Sequence, residues 1–387
     1  MKVLILSPAH LLSNSGIHIT SLANALTKVG VECLVCVPAA DTVRLPEAEC
    51  LFKVVGAHGL LSVIADHPPD LVYLWTPREG NRKLLELLRA RFSIPYIVHF
   101  EDNEFHLCQV ALALDDEAFA QLMSGSGTVH SIPDHLTDPS TIARTVAASS
   151  GVTVLVEELL RLIPQARSSL VFWPGYDESL GWGTPVDMAY RREIGIDDDE
   201  FVVAYTGNLH SANVNEVRSL YLAVALLNRR GTKVRLVRTG ADFVELTDHG
   251  DALLRQHSVN LGFIARSELP RLLAVSDVLV QPGAPDAFNI YRFPSKIPEF
   301  LASRRPVVLP NCNIGAFLNN GVEAIVLPLC NAAAIVSTLE QLLPDPARRL
   351  AIGEAGAKFA KEQLQWSLAA ANVSKLFQQV LSDSSHH

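Results

Sequence analysis

Lys296 and Glu299 stand one helical turn apart in FNIYRFPSKIPEFLA, residues 288–302, directly behind a Tyr-Arg-Phe-Pro turn. A helix that opens after Pro294 directs its unpaired backbone N–H groups, and the positive end of its dipole, at whatever lies in front of it, a place that suits phosphate. Lys296 adds a mobile positive charge, and Glu299 can accept hydrogen bonds from two vicinal hydroxyls such as those of a ribose. Together they fit a nucleoside diphosphate better than a bare phosphate. The other reading is an ordinary i,i+3 surface pair worth roughly a few tenths of a kcal/mol. These residues alone leave both open.

Further candidate contacts sit on loops that follow apolar runs. After KVLILS, the loop SPAHLLSNSG ends in Gly16 just before a helical pattern, where backbone N–H groups can approach a phosphate or sugar. One glycine there is not the GxGxxG of a dinucleotide fold, so a nicotinamide enzyme loses ground. In TGNLHSANVNE, Gly207, Asn208 and His210 can approach a diphosphate, or the segment is a turn whose helix is capped by Asn213 or Asn215. Arg238, with Gly240 closing the same run, faces either a ligand base or phosphate, or Asp242. Phe263 and Ile264 offer an apolar shelf for a base, or core packing. In HFEDNEFH, His99, Glu101, Asp102, Glu104 and His106 crowd a strand end, a set suited to proton transfer or metal binding. Strand alternation and the following turn should scatter them, so one or two facing a ligand, and no metal site, is the expectation.

The elements that must position these residues alternate in type. Strand-like runs at 2–7, 32–37, 70–75, 95–100, 152–156 and 169–173 are separated by helical patterns such as HITSLANALTKVG. Residues 174–200 turn rich in Gly, Pro and acid, as a linker does, and the alternation restarts with runs at 201–206, 233–239, 259–263, 277–282, 306–310 and 324–328. Each half therefore reads as a doubly wound α/β domain that binds ligands beyond the carboxyl ends of its strands, and two such domains create a cleft. Residues 104–140 interrupt the rhythm with one amphipathic helix and a Gly/Ser/Pro stretch, which reads as a mobile excursion over the cleft or as an acceptor-specific insertion. At the end, Ala369, Val373, Leu376, Phe377 and Val380 share one helical face, marking a packing helix.

At 387 residues the chain is long for one core, and 49% hydrophobic with 19% charged residues describes a compact globular protein. A net charge of −9 argues against nucleic acid as a partner of the whole surface. The opening apolar run is too short for a signal peptide, and no 18-residue apolar span occurs. A cytoplasmic protein, with room for a peripheral membrane contact, is the expectation. Cys33 and Cys36 form a CxxC, but inside a strand they face opposite sides of the sheet, so neither a redox pair nor a zinc pair is expected. Buried reduced thiols are the reading for the remaining cysteines too. The closing Ser384–His387 carries no weight.

The ordered set GNL (207–209), LVRTG (236–240), LGFI (261–264), SELPRLLAVSDVLVQP (267–282) and RFPSKIPEFLASRRPVV (292–308) resembles the C-terminal half of retaining GT-B glycosyltransferases of family four, glycosyl transferases group 1. The first half resembles their N-terminal domain. The resemblance implies two Rossmann-like domains facing a cleft: residues 1–173 on the acceptor side, the linker 174–200, residues 201–365 for the nucleotide sugar, and a helix at 366–383 that packs back on the first domain. It implies that Glu299 holds the ribose and that Ser295 and Lys296, with Arg292 beside them, hold the diphosphate. Glu101 or Asp102 corresponds to the acceptor-side polar residue, which with Lys296 makes up the catalytic set. The family's second glutamate, eight positions before Glu299, is replaced by Tyr291, for which Asp286 or Asn289 can substitute, and the basic residue expected near 207–213 is absent. The implied activity is sugar transfer from a nucleoside diphosphate sugar, a co-substrate in place of any cofactor or metal, to a hydroxyl acceptor on a glycan, a lipid-linked sugar or a small molecule. The alternatives are a nucleotide-sugar epimerase of the same fold and a non-catalytic nucleotide-sugar-binding regulatory subunit.

Overall fold

A computed structural model describes residues 1–38, 50–125, 131–246 and 254–384. Part of the 104–140 excursion (126–130) and the last three residues thus lie outside the described residues. The chain divides into two compact units: Met1–Pro174, Tyr291–Phe293 and Trp366–His387 form the first, Gly175–Ile290 and Pro294–Gln365 the second.

In the first unit, the apolar runs form β1 (Lys2–Leu6), β2 (Glu32–Val37), β4 (Leu71–Trp75), β5 (Tyr96–Phe100), β6 (Gly151–Val154) and β7 (Ser169–Val171). A short strand missed by the sequence reading, β3 (Lys53–Gly56), joins the edge. All pairs are parallel, in the order β3-β2-β1-β4-β5-β6-β7. Every residue of β4 and β5 is buried, which accounts for their unbroken apolar sequence, since helices cover both faces of such a sheet. The helices are α1 (Asn14–Lys28), α2 (Leu60–Ile64), α3 (Glu79–Arg91), α4 (Glu104–Ala111), α5 (Asp116–Ser124) and α6 (Pro139–Ala147). The excursion therefore holds two helices where one was expected. Ala113 turns to φ +51 after α4, and the Asp115 side chain caps a new helix by accepting from the Ala118 N–H.

The second unit repeats the plan with β8 (Phe201–Thr206), β9 (Val234–Thr239), β10 (Ser258–Asn260), β11 (Val278–Val280), β12 (Val307–Pro310) and β13 (Ile325–Leu327), all parallel, in the order β10-β9-β8-β11-β12-β13. Its helices include α7 (Met188–Glu193), within the stretch read as linker, then α8 (Val214–Arg229), α9 (Leu269–Ala274), α10 (Ile297–Ala302), α11 (Ala332–Leu342) and α12 (Pro346–Gln363). The last helix, α13 (Trp366–Ser384), buries Ala369, Val373, Leu376, Phe377 and Val380 and packs against α1 of the first unit. In both sheets the strand order reverses beside the first strand, between β1 and β4 and between β8 and β11. Crevices at the carboxyl ends of such reversals are where doubly wound sheets bind ligands. Among the described residues, no helix is long and apolar enough to cross a membrane.

Candidate active site

In the second unit, Lys296 stands at the reversal point. Tyr205 comes from β8 and Gln281 directly follows β11, and both are buried. The Lys296 Nζ lies 3.2 Å from the Tyr205 hydroxyl, 3.2 Å from Gln281 Oε1 and 4.2 Å above the Tyr205 ring. A flexible ammonium is thereby held in one place by a hydroxyl, an amide oxygen and an aromatic face. Glycine keeps that place open: a Cβ on Gly207, whose φ is +137, would stand 3.0 Å from the Nζ. Gly240, at φ +99, allows a closer approach still, because its Cβ would meet the Gly207 carbonyl at 2.5 Å. The loop is locked from behind. Asn208 Oδ1 accepts from the Ala241 N–H at 2.9 Å, and Asn213 accepts from the His210 N–H and donates to the Asn208 carbonyl. Asn213 thus occupies the cap position of α8 but braces the loop before it.

Helix α10 starts at Ile297, later than the sequence suggested, with Lys296 in its cap position and Ser295 exposed before it. Glu299, buried in its first turn, accepts a 2.5 Å hydrogen bond from Arg266 Nη2 on the loop after β10. Asp286 accepts from the N–H groups of Phe288 and Asn289, which makes it a turn former. Asn289 is buried and donates to Glu216 Oε1 at 2.5 Å, while its carbonyl accepts from Asn313. Arg238 is buried and pairs with Asp242, the second of its two sequence readings. Phe263 is 76% exposed, so core packing is not its role, and Ile264 beside it is half-buried. Tyr291 and Arg292, both half-buried, group with the first unit.

In the first unit the acidic cluster after β5 separates. Glu101 Oε1 meets His18 Nδ1 at 2.8 Å, and its Oε2 accepts a short hydrogen bond from Ser15, both partners lying on α1. Burial alone would raise the Glu101 carboxyl, but the hydrogen bond and charge of His18, with His99 and Ser15, outweigh it and hold the group at about 2. Asp102 is half-buried, and burial together with the neighbouring Glu101 and Glu104 pushes it up to about 7 against the opposing charges of Arg292 and Arg78. Glu104 turns to Arg78 and to Thr137, whose hydroxyl donates at 2.6 Å. His99 contacts Thr153 Oγ1 at 2.8 Å, stacks on Phe172 and lies tilted against Trp75, and burial lowers it to about 3, so it is neutral near pH 7. The next residue after Trp75, buried Thr76, holds φ +59, a strained conformation for a β-branched residue and the kind concentrated at ligand sites. The Gly16 N–H is taken by the Ser13 cap at 3.0 Å, so its amide is not available to a ligand. What glycine supplies there is room, since a Cβ would lie 2.4 Å from the His10 carbonyl oxygen.

The sequence reading did not find Tyr205, Gln281, Arg266, His18 or Ser15. Two of these had a usable signal, because Tyr205 and Gln281 sit at strand carboxyl ends flanking the reversal. Cys33 and Cys36 are buried free thiols of β2. Among the described residues, no group of three or more His, Cys, Asp or Glu converges to hold a metal ion.

Known proteins resemble the chain in both halves. Residues 200–345 match the family model described as Glycosyl transferases group 1. Alpha-D-kanosaminyltransferase of Streptomyces kanamyceticus is 25% identical over 49% of this chain and 48% of its own length, so the match spans about half of that relative. An uncharacterized glycosyltransferase of Methanocaldococcus jannaschii is 23% identical over 97% of each chain. Among solved structures, sucrose-phosphate synthase from Thermosynechococcus elongatus superposes with a TM-score of 0.74 at 16% identity, covering 99% of this chain and 100% of the other. HepE of Anabaena in complex with UDP-glucose gives 0.69 at 16% identity, covering all of both chains. At such identities the structures speak for the fold, two parallel-sheet Rossmann-like units of GT-B type. Residues 200–345 are thus similar to glycosyl transferases group 1, and the two units have the fold of GT-B structures.

Proposed function

We propose that the chain transfers a sugar from a nucleoside diphosphate sugar to a hydroxyl acceptor, with retention at the anomeric carbon as the family resemblance implies. The observation that carries this reading is the ammonium of Lys296, held by Tyr205 and Gln281 beside Gly207 at the strand reversal. A diphosphate leaving group gains negative charge as the glycosidic bond breaks, and a preset cation aimed at it lowers the barrier more than it tightens the ground state. Glu299, ordered by Arg266, offers a carboxylate to ribose hydroxyls, and the exposed Phe263 offers a face to a base. HepE of Anabaena, a structural neighbour, has been solved with UDP and with UDP-glucose, which supports a uridine donor as the first to try. Lys296 supplies the charge that a divalent ion would otherwise bring, so the reaction is proposed to need neither metal nor cofactor.

A thermal-shift screen of nucleoside diphosphates and their sugars tests the reading, since a ligand at 100 times its Kd stabilises by about 2.7 kcal/mol. Release of free nucleoside diphosphate from a bound donor is the expected second result. Binding without release would favour the non-catalytic subunit that Tyr291 keeps in view, and binding of none of them would refute the proposal.

A further inference from the structure

Two phenyl rings stand exposed at the carboxyl edge of the second unit's sheet. Phe263 is 76% exposed and Phe243 68%, the two most exposed large apolar side chains among the described residues. Apolar side chains scattered singly over a surface need no explanation, but these two belong to adjoining loops. Phe243 follows β9 and Phe263 follows β10, strands that pair in parallel with Arg238 beside Asn260. Beyond that register the Gly240 N–H donates to the Gly262 carbonyl at 2.7 Å, which carries the pairing one step past the strands. Gly262, at φ +63, then turns the chain out of the sheet, and Phe263 is the next residue. The Phe243 N–H donates to the Leu209 carbonyl at 2.9 Å, which fixes its backbone to the loop after β8.

These loops run outward from the ammonium of Lys296. A Cβ on Gly207 would stand 3.0 Å from its Nζ, a Cβ on Gly240 would meet the Gly207 carbonyl at 2.5 Å, and Gly240 is tied to Gly262. Neighbouring strands stand about 4.8 Å apart, so in the order β10-β9-β8 the loop after β10 starts about 10 Å from the end of β8. That interval is the one an α-phosphate and a ribose must span between a β-phosphate at Lys296 and its base. Glu299, the carboxylate assigned to the ribose, is itself bonded to Arg266 on the loop that carries Phe263.

We propose that Phe243 and Phe263 clamp the two faces of the donor's nucleobase, which makes Phe243 a further binding residue of the site. An aromatic side chain is rigid and offers its π face to a planar ring, and a base held between two such faces loses water from both sides. Stacking reads the face of a base and not its edge, so the clamp selects a planar heterocycle and leaves uracil, guanine and adenine to be told apart by other groups.

The inference rests on the proposed binding of a nucleoside diphosphate sugar, and one set of measurements separates the two. Calorimetry with UDP, GDP and ADP identifies a diphosphate that wild type binds. Phe243→Ala should weaken its binding by about 5- to 150-fold, the range of a lost base stack, and Phe263→Ala by a similar factor. Both side chains are exposed, so their removal takes nothing from the core. Phe243→Tyr, which keeps the ring, should stay within about twofold of wild type. Inorganic pyrophosphate, which carries no base, should bind wild type and Phe243→Ala equally. A Phe243→Ala protein that binds the diphosphate as wild type does, or that loses pyrophosphate affinity to the same extent, overturns the clamp and leaves the transfer reading standing. A wild-type protein that binds none of the three diphosphates overturns the transfer reading, and the clamp with it.

Discussion

Replacing Lys296 by alanine removes one charge whose surroundings are known in detail. The ammonium is held 3.2 Å from both the Tyr205 hydroxyl and Gln281 Oε1, so the entropy of ordering a long side chain is already spent in the folded protein. An incoming diphosphate then gains a charge-assisted hydrogen bond of about 1.5–3 kcal/mol, roughly ten- to 150-fold in Kd. A preset donor aimed at charge that grows in the transition state is worth about 2.7–4 kcal/mol, or about 10²–10³ in kcat. Turnover should therefore fall further than affinity. Stability should fall modestly, by about 1–2 kcal/mol, because the buried Gln281 Oε1 loses this donor and the Tyr205 ring loses its cation. Calorimetry with UDP, steady-state release of diphosphate and urea unfolding on wild type and Lys296→Ala separate the three quantities. A variant with undiminished kcat and undiminished UDP affinity would show that Lys296 faces no phosphate.

Glu299→Gln keeps size but loses charge, and nucleoside diphosphate binding should weaken by about 1–3 kcal/mol in calorimetry; equal affinity in both proteins removes the ribose role. Gly240→Ala places a Cβ 2.5 Å from the Gly207 carbonyl at φ +99, so urea unfolding should show a loss above about 2 kcal/mol, and a loss under 0.5 kcal/mol would mean that the two loops separate freely. Burial lowers the folded-state pKa of His99 to about 3, below its unfolded value near 6.5, so its contribution is intact above pH 6.5 and is lost as pH falls towards 3. Stability measured from pH 7 to 4 should slope downward in wild type and slope less in His99→Gln; parallel curves would contradict a neutral buried ring. Chelation with EDTA should leave diphosphate release unchanged, and activity that vanished and returned with a divalent cation would overturn the metal-free proposal.

Periodicity and local chemistry were enough to read the fold class. Every apolar run picked out in the sequence became a strand; central strands such as β4 and β5 are apolar without interruption because they are covered on both faces, and that signature is local. β3 escaped because its four residues, KVVG, carry too short a pattern. The excursion held two helices because its break depends on one residue at positive φ, which no hydrophobic period records. Lys296 and Glu299 were legible for the same local reason, as neighbours on one helical turn. Their partners were not. Arg266 reaches Glu299 across 33 residues, His18 reaches Glu101 across 83 and Tyr205 reaches Lys296 across 91. Arg238 shows the limit plainly: its sequence allowed a ligand or Asp242, and only the turn after β9 selected Asp242. The sequence by itself determined which segments are strands and helices and which loops carry polar groups, since those follow from contacts a few residues apart. Which polar groups meet was decided by the strand order, whose reversal beside β8 brings the ends of β8 and β11 together and, with them, the side chains that hold Lys296.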